Sequence, residues 1–295
     1  MTQPLETADA EYTSVESPSP PGRRRPTRKP WPLTVLALQL AVVAAILLLW
    51  QYVPDIPGIR SHVRFADPFF ISSPSGVARE LWLITRGAPN VPTIWAPLAR
   101  TVVTALIGTA AACVLGAVLG LAVSSWVLLE RVARPFLVLF NAIPRVAMIP
   151  IIILIVGASA TADALTAFTV VFFLVFYNAA EGASSVPREM IQNAGLLGVS
   201  NLAIMWKVRW PYAMGWTWVA LPNAIAFGLV GTVTAEVFTG GSGIGYQLSL
   251  AIGDVNAPLL FAIVVVLAFV GVVLSIGSRW LRLRVLPWWE NSEGA

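Results

Sequence analysis

The sequence feature that most constrains the fold is a run of 29 residues without a charged side chain, residues 101–129. A helix needs roughly 20 mostly apolar residues to cross the hydrocarbon core of a bilayer, so this run is long enough for one tilted crossing. The composition agrees, because 57% of the 295 residues are apolar and 12% are charged, against about 25% charged in soluble domains. We therefore predict an all-α, polytopic membrane protein.

Six apolar runs are long enough, or nearly so, to form membrane-spanning helices. The third run is interrupted by Pro144, Arg145 and Pro150, so we expect a kinked helix there. The predicted spans are residues 33–52, 101–129, 135–156, 164–180, 210–235 and 255–278.

The segments between the spans set the predicted topology. Of the 19 lysines and arginines, thirteen fall in segments that share a side with the amino terminus, so both termini are predicted to be cytoplasmic. The chain then divides into a disordered tail, the first span with an extracytoplasmic segment, a five-helix core, and a second cytoplasmic tail. These parts are residues 1–31, 32–98, 99–284 and 285–295.

Two shorter segments have recognisable local patterns. Residues 76–84 have a weakly amphipathic helical pattern that could lie on the membrane surface, and we place this segment outside the bilayer. Residues 239–246 are rich in glycine and are predicted to form a turn beyond the fifth span. The basic run before residue 33 is typical of a signal peptide, but no small-residue cleavage site follows, so an uncleaved first span is predicted.

The chain contains few side chains of the kinds that bind metals or perform catalysis. The chain has one cysteine, Cys113, and one histidine, His62, so a zinc site is not expected. Its two lysines, Lys29 and Lys207, do not follow glycine, so there is no phosphate-binding loop. The basic residues flank apolar runs and form no continuous basic face, which argues against a nucleic acid partner. We expect no catalytic residue, cofactor or metal in this chain.

The loop between the fourth and fifth spans, residues 181–211, predicts two short helices separated by a break. Pro187 can begin a helix, Gly198 allows a sharp bend, and Pro211 disfavours helix just before the next span. Each short helix has an apolar face that something must cover. These faces contain Met190, Ile191, Ala194 and Leu197 in the first helix, and Leu202, Met205 and Trp206 in the second.

This loop resembles that of the permease subunits of bacterial ABC importers. Their pattern is Glu-Ala-Ala, three residues, Gly, nine residues, then Ile-x-Leu-Pro. The glycine and proline match at full spacing, whereas a Gln-Asn pair replaces the usual Glu-Ala. The resemblance implies an ATPase-coupling loop that contains Gln192, Asn193, Ala194, Gly198, Met205, Trp206, Val208 and Pro211.

Other segments are similar to the nitrate, sulfonate and taurine subgroup of that family. They are residues 70–81, 141–150, 235–236 and 241–246, and the similarity covers roughly residues 65–285. The resemblance implies a type I importer-like permease of the bacterial inner membrane. It would work with cytoplasmic ATPase subunits that use ATP and Mg, an extracytoplasmic binding protein and a second permease subunit, as a homodimer or heterodimer. Small anions such as sulfonate, nitrate or taurine are implied solutes, and vitamin precursors are an alternative.

Polar residues in or beside the spans are candidates for the translocation pathway. Arg145 could contact solute or extend to the membrane interface, and Glu236 could line the pathway or cap the glycine-rich turn. For the other candidates, hydrogen bonding between helices is the alternative. The candidates are Arg145, Asn178, Asn223, Thr232, Thr234 and Glu236.

Two other functions compete with the importer permease. An ion-coupled secondary carrier would need carboxylates in mid-span, but Asp163, Glu181 and Glu236 all lie at span ends. An intramembrane enzyme would need a cluster of catalytic side chains, which the sequence does not contain. Dependence of transport on an ATPase separates the importer from both alternatives.

Overall fold

The computed structural model describes residues 32–53, 71–87 and 93–285, and in these ranges the regular structure is entirely helical. The prediction of an all-α protein is confirmed. The chain divides into two compact units, residues 1–46 and 47–295. The helices are α1 (Pro32–Tyr52), α2 (Pro74–Arg86), α3 (Trp95–Ser125), α4 (Val127–Ala142), α5 (Ile149–Val156), α6 (Ala160–Ser184), α7 (Arg188–Leu196), α8 (Asn201–Ile204), α9 (Trp210–Thr239), α10 (Ile244–Gly253) and α11 (Ala257–Val285).

The long helices account for the predicted spans. Among the described residues, five helical stretches are long and apolar enough to cross a membrane, and the pair α4 and α5 makes a sixth if it counts as one crossing. The predicted cytoplasmic tails, residues 1–31 and nearly all of 285–295, lie outside the described residues. We call the side of the helices that carries residues 185–200 the loop end, and the side that carries residues 240–243 the opposite end.

The core of the second unit is the packing of α3 on α6, with α9 against both. Gly108 and Gly120 of α3 lie directly on the α6 backbone, because an added Cβ would overlap the carbonyl oxygens of Ala164 and Phe176. Gly116 packs against α6 in the same way. Small residues let helices approach closely in a membrane, where packing and not water exclusion holds them together.

The second and third predicted spans have different boundaries in the structure. The run 101–129 does not form one helix, since Trp126 is extended and α4 begins at the next residue. The expected kink near Pro144 is a full break, and α4 and the segment after it meet at 83°. Ile143 is extended because the ring of Pro144 disfavours helical backbone at the preceding residue.

The amphipathic segment before the second span packs on protein along its apolar face. Helix α2 buries Val77 and Ile84 in an apolar cluster with Leu98, Ile244 and Ile263. Its apolar face is therefore covered by α3, α10 and α11, and its position on the membrane surface stays a prediction.

The predicted break before Pro211 is also wrong, because residues Asn201–Thr239 form one continuous helical stretch. Residues Met205–Arg209 form a π turn, in which the Trp210 N–H donates to the carbonyl of Met205. Proline has no N–H and its ring crowds the preceding turn of an α-helix. A wider π turn relieves that crowding, so the helix can continue through the proline.

The glycine-rich segment forms a shorter turn than predicted, because α10 begins within it, and Glu236 caps that helix. The Glu236 side chain is fully buried, and its carboxylate accepts hydrogen bonds from the Thr101 hydroxyl at 2.8 Å and the Gly245 N–H at 2.9 Å. The Thr101 hydroxyl accepts from the Ile244 N–H at 2.9 Å. Gly243 touches the carboxylate, which leaves no room for a Cβ. The carboxylate thus pairs the free N–H groups of a helix start.

A second buried carboxylate extends this network at the opposite end. Asp163 accepts a hydrogen bond from the Thr239 hydroxyl at 3.0 Å and lies 3.9 Å from the Arg100 guanidinium. Arg100 also donates to the Ser242 hydroxyl. The network therefore joins the start of α3, the start of α6, the end of α9 and the turn before α10. We call it the Glu236 network.

The close contact of α3 with α6 predicts a specific sensitivity to an added methyl group. Gly120→Ala should destabilise the protein by about 1–3 kcal/mol, because its Cβ would overlap the α6 backbone. The thermal midpoint in detergent should fall accordingly. Gly277→Ala is the matched control, since its Cβ would meet no atom. Equal midpoints for the two variants would contradict this packing.

The Glu236 network predicts that charge and acceptor geometry are both required. Glu236→Gln should cost about 1.5–3 kcal/mol of stability, because an amide lacks the charge that favours a helix start and replaces one of the two accepting oxygens with an NH₂ donor. The exposed Glu181→Gln change, near the end of α6 and away from any helix start, serves as control. Thermal unfolding should show a lower midpoint only for the first variant, and a wild-type midpoint would refute the capping role.

Candidate functional site

The loop between α6 and α9 has the predicted order of helix, break and helix. Helix α7 follows Pro187, and the chain reverses at Gly198, whose φ of +74° is a left-handed value that favours glycine. Ser200 then caps α8 by accepting a hydrogen bond from the Ala203 N–H at 3.3 Å. The bend predicted from Gly198 is confirmed.

The tip of this loop exposes large apolar side chains. Leu196 is 87% exposed, Leu197 82% and Leu202 57%, and Met190 on α7 is 45% exposed. We call these four residues the loop patch. Apolar side chains that are clustered and exposed in an aqueous loop are typical of a protein interaction surface.

The structure separates the predicted coupling residues into accessible and inaccessible ones. Gln192 and Asn193 are exposed on α7, and Ala194 is half-buried beside them. The Trp206 ring is 48% exposed and packs against the Trp210 ring at a tilt of 53°, with centroids 5.4 Å apart. Val208 lies half-buried in the π turn, and Pro211 is in the first turn of α9.

Met205 does not belong to an uncovered face, contrary to prediction. It is only 7% exposed and packs in the core cluster that contains Leu121 and Ala179. Met205 and the preceding Ile204 are both buried, so these two residues form the side of the turn that faces the core. Met205 therefore anchors the loop to the core and is not available to a partner.

A hydrogen bond also ties the loop to the core. Arg209, at the end of the π turn, donates from Nη1 to the carbonyl of Ser124 at 2.9 Å. Ser124 lies in the last turn of α3, so the second loop helix is attached to the central pair of helices. A force applied at the loop patch can thus reach the membrane-spanning core.

A second candidate site is a groove between α4, α6 and α9. It brings together two predicted pathway residues, Arg145 and Asn178, with two residues that the sequence analysis did not select, Asn141 and Tyr177. The hydropathy of the sequence around Asn141 and Tyr177 did not mark either residue as a candidate for the pathway. The open pocket has a volume of about 360 Å³ and is lined by Asn141, Arg145, Val170, Phe173, Leu174, Tyr177, Asn178 and Phe227. We call it the Arg145 groove.

The guanidinium of Arg145 is held by neighbours that do not neutralise it. It donates to the carbonyl of Phe140 at 3.0 Å and to the side-chain oxygen of Asn141 at 2.8 Å, and it lies 4.4 Å from the centre of the Phe173 ring. None of the described Asp or Glu side chains forms an ion pair with it. A charge of this kind within a span is a functional site by default.

The remaining pathway candidates are dispersed. Asn223 is exposed on α9, one turn from the groove residue Phe227. Thr234 donates to a carbonyl of its own helix at 2.7 Å, and Thr232 is fully buried. Glu236 lies in its network at the opposite end, which favours the capping alternative over the pathway. Across the described residues, no three His, Cys, Asp or Glu side chains could hold a metal ion.

Comparison with known proteins agrees with this architecture. Residues 112–289 match the family described as binding-protein-dependent transport system inner membrane component. The chain is 25% identical over 261 residues to the taurine transport system permease protein TauC of Escherichia coli (strain K12), which covers 88% of this chain and 92% of that protein.

Two further relatives are named for different solutes. The riboflavin transport system permease protein RibX of Chloroflexus aurantiacus is 31% identical over 164 residues, which is 56% of this chain and 61% of RibX. The nitrate import permease protein NrtB of Synechocystis sp. (strain PCC 6803) is 25% identical over 272 residues, 87% of this chain and 92% of NrtB. The family match covers more than half of the chain. This protein therefore belongs to the inner membrane components of binding-protein-dependent transport systems, the permease subunits of ABC importers.

Proposed function

We propose that this chain forms the solute pathway of an ATP-driven importer and that its loop patch docks on a cytoplasmic ATPase subunit. Residues 99–284 form the permease core, and residues 32–98 supply the first span and an extracytoplasmic segment. Both termini are cytoplasmic, and a second permease subunit, most simply another copy of this chain, completes the pathway. The partner ATPase uses ATP and Mg, and a binding protein delivers the solute from the other side.

The observation that carries this proposal is the exposure of the loop patch. Two adjacent leucines, Leu196 and Leu197, are more than four-fifths exposed at a tip that Gly198 holds in a fixed bend. Burying apolar surface stabilises an interface by roughly 25 cal/mol per Å², so these side chains favour a protein partner. The sequence contains no phosphate-binding loop, which supports ATP hydrolysis in such a partner.

The loop is built to transmit movement as well as to bind. Helix α8 continues through the π turn into α9 as the stretch Asn201–Thr239, so a shift of the patch moves a membrane-spanning helix directly. Closure of two ATPase subunits would pull the paired permease subunits between two packed arrangements, open to one side of the membrane or the other.

The solute is proposed to be a small molecule, of the anionic kind that taurine and nitrate represent. Two relatives are named for those solutes, although a third is named for riboflavin. The alternative function is an ion-coupled carrier that needs no ATPase. Purification of the tagged protein from its own membranes in mild detergent distinguishes them, because a companion with a phosphate-binding loop is expected only for the importer.

A charge placed in the loop patch should detach the ATPase. Leu197→Asp should weaken ATPase co-purification at least tenfold, because a carboxylate would be buried against an apolar groove. Amounts of permease in the membrane should stay unchanged, since the side chain is 82% exposed.

The matched control for this variant is Val255→Asp. Val255 is a 47% exposed apolar residue at the opposite end, and its φ of +51° suits aspartate. It should retain the ATPase. Full ATPase recovery with Leu197→Asp would exclude the patch as the docking surface.

The bend at Gly198 should matter for its backbone and not for lack of space. A Cβ there would meet no atom, but the left-handed φ is strained for a β-branched residue and tolerated by asparagine. Gly198→Val should therefore reduce ATP-dependent uptake in proteoliposomes severalfold, whereas Gly198→Asn should be near wild type. Equal loss in both variants would mean that the side chain blocks the interface directly and that the bend is not the cause.

A further inference from the structure

We propose that the Arg145 groove is an anion-binding station on the solute pathway, so that the membrane subunit itself selects for negative charge. This inference rests on the proposed transport function and adds to it the site and the class of ligand. The ligand is a small organic anion, such as a sulfonate or carboxylate, with a short apolar part.

The exposure of the polar residues in the groove indicates which medium the groove faces. Arg145 and Asn178 are half-buried, and Asn141 and Tyr177 are exposed, so the polar side of the groove points out of the described chain. Contact of these side chains with hydrocarbon would be costly. Asn223 extends the polar side by one turn along α9. A polar strip within membrane-spanning helices should therefore face a water-filled pathway between subunits.

The net charge of the residues that line the groove is positive. The residues that line the groove include one arginine and no acid. Arg145 has five N–H donors, and the three hydrogen bonds that it donates all go to neutral oxygens of Phe140 and Asn141. The guanidinium is thus fixed in position, keeps its full charge and has donors left. A fixed cation with spare donors in a groove without a carboxylate attracts an anion and repels a cation.

Other hydrogen-bond donors lie beside the Arg145 guanidinium. The Asn141 side-chain oxygen accepts from Arg145, which turns its amide N–H groups away from Arg145 and leaves them free. No described residue hydrogen-bonds the hydroxyl of Tyr177. Anion oxygens need several donors, and these two residues supply them beside the guanidinium. The rings of Phe173 and Phe227 flank the same space and fit the apolar part of a ligand.

The size of the groove limits the ligand. About 360 Å³ is near the small end of ligand pockets in proteins, so it suits a molecule of few heavy atoms. A purely structural role for Arg145 would be to pair carbonyls at the end of α4, next to the 83° bend. The experiment must therefore report the charge of the groove and not only the stability of the bend.

Because the chain has a single cysteine, the reaction of one introduced thiol can measure the charge of the groove. In a Cys113→Ala background, Phe227→Cys places a thiol on the wall of the groove, on helix α9, which forms no hydrogen bond with Arg145. The thiol is treated with two methanethiosulfonates, the anionic sulfonatoethyl and the cationic trimethylammonioethyl reagent. The full complex in nanodiscs is used, and the ratio of the two reaction rates is measured.

The ratio of anionic to cationic rates at position 227 should fall about tenfold when Arg145 is changed to Gln, and Arg145→Lys should restore most of it. A thiol at Phe238, which is 57% exposed on the same helix about 16 Å away, should show little change. An unchanged ratio, or no reaction of the groove thiol with either reagent, would overturn the proposal.

Binding is tested with an uncharged reagent and a matched pair of small solutes. Methanesulfonate should slow the reaction of the groove thiol with methyl methanethiosulfonate more than dimethyl sulfone does, and Arg145→Gln should abolish the difference. Equal effects of both solutes on the Arg145 protein would overturn anion binding. Co-purification of the ATPase is scored separately in the same samples. Its absence from the wild type would refute the importer function alone, whereas an intact complex without charge preference would refute the anion station alone.

Discussion

The structure depends on the contact between the backbones of α3 and α6. Lipid tails are as apolar as the helix surfaces, so water exclusion cannot drive these helices together, and close van der Waals packing must do so. Gly108, Gly116 and Gly120 permit that packing along the shared length of the two helices. Because α9 lies against both, the position of every candidate site in the core follows from this one contact.

The fixed pair of helices presents different chemistry at its two ends. At the opposite end, the buried carboxylates of Asp163 and Glu236 are held by hydroxyls, N–H groups and Arg100, which locks the helix ends together. At the loop end, one hydrogen bond from Arg209 and the buried Met205 attach a loop whose leucines stay exposed. The opposite end thus resists rearrangement, whereas the loop end is suited to bind a partner. The Arg145 groove lies between them on α6.

Much of the fold could be predicted because hydropathy reports membrane spans directly, and the loop could be predicted from proline and glycine spacing. Sequence patterns are insufficient where tertiary context decides. Nothing in an uncharged run marks Trp126 as a break, and an amphipathic helix such as α2 has the same pattern whether lipid or protein covers it. The association of Arg145 with Asn178 could not be predicted, since Arg145 lies in the break between α4 and α5 and its contact with α6 is a tertiary contact.

The π turn at Met205–Arg209 fixes the helical phase of the loop relative to the span. It amounts to one residue inserted into an α-helix, and one residue corresponds to a rotation of about 100°. The outward direction of α8 is therefore offset from the outward direction of α9 by more than a quarter of a circle. On the loop side of this offset, Ile204 and Met205 point into the core while Leu202 and Trp206 stay accessible. Deleting a single residue within the turn would rotate the exposed leucine out of register with the membrane helix, without changing the composition of either.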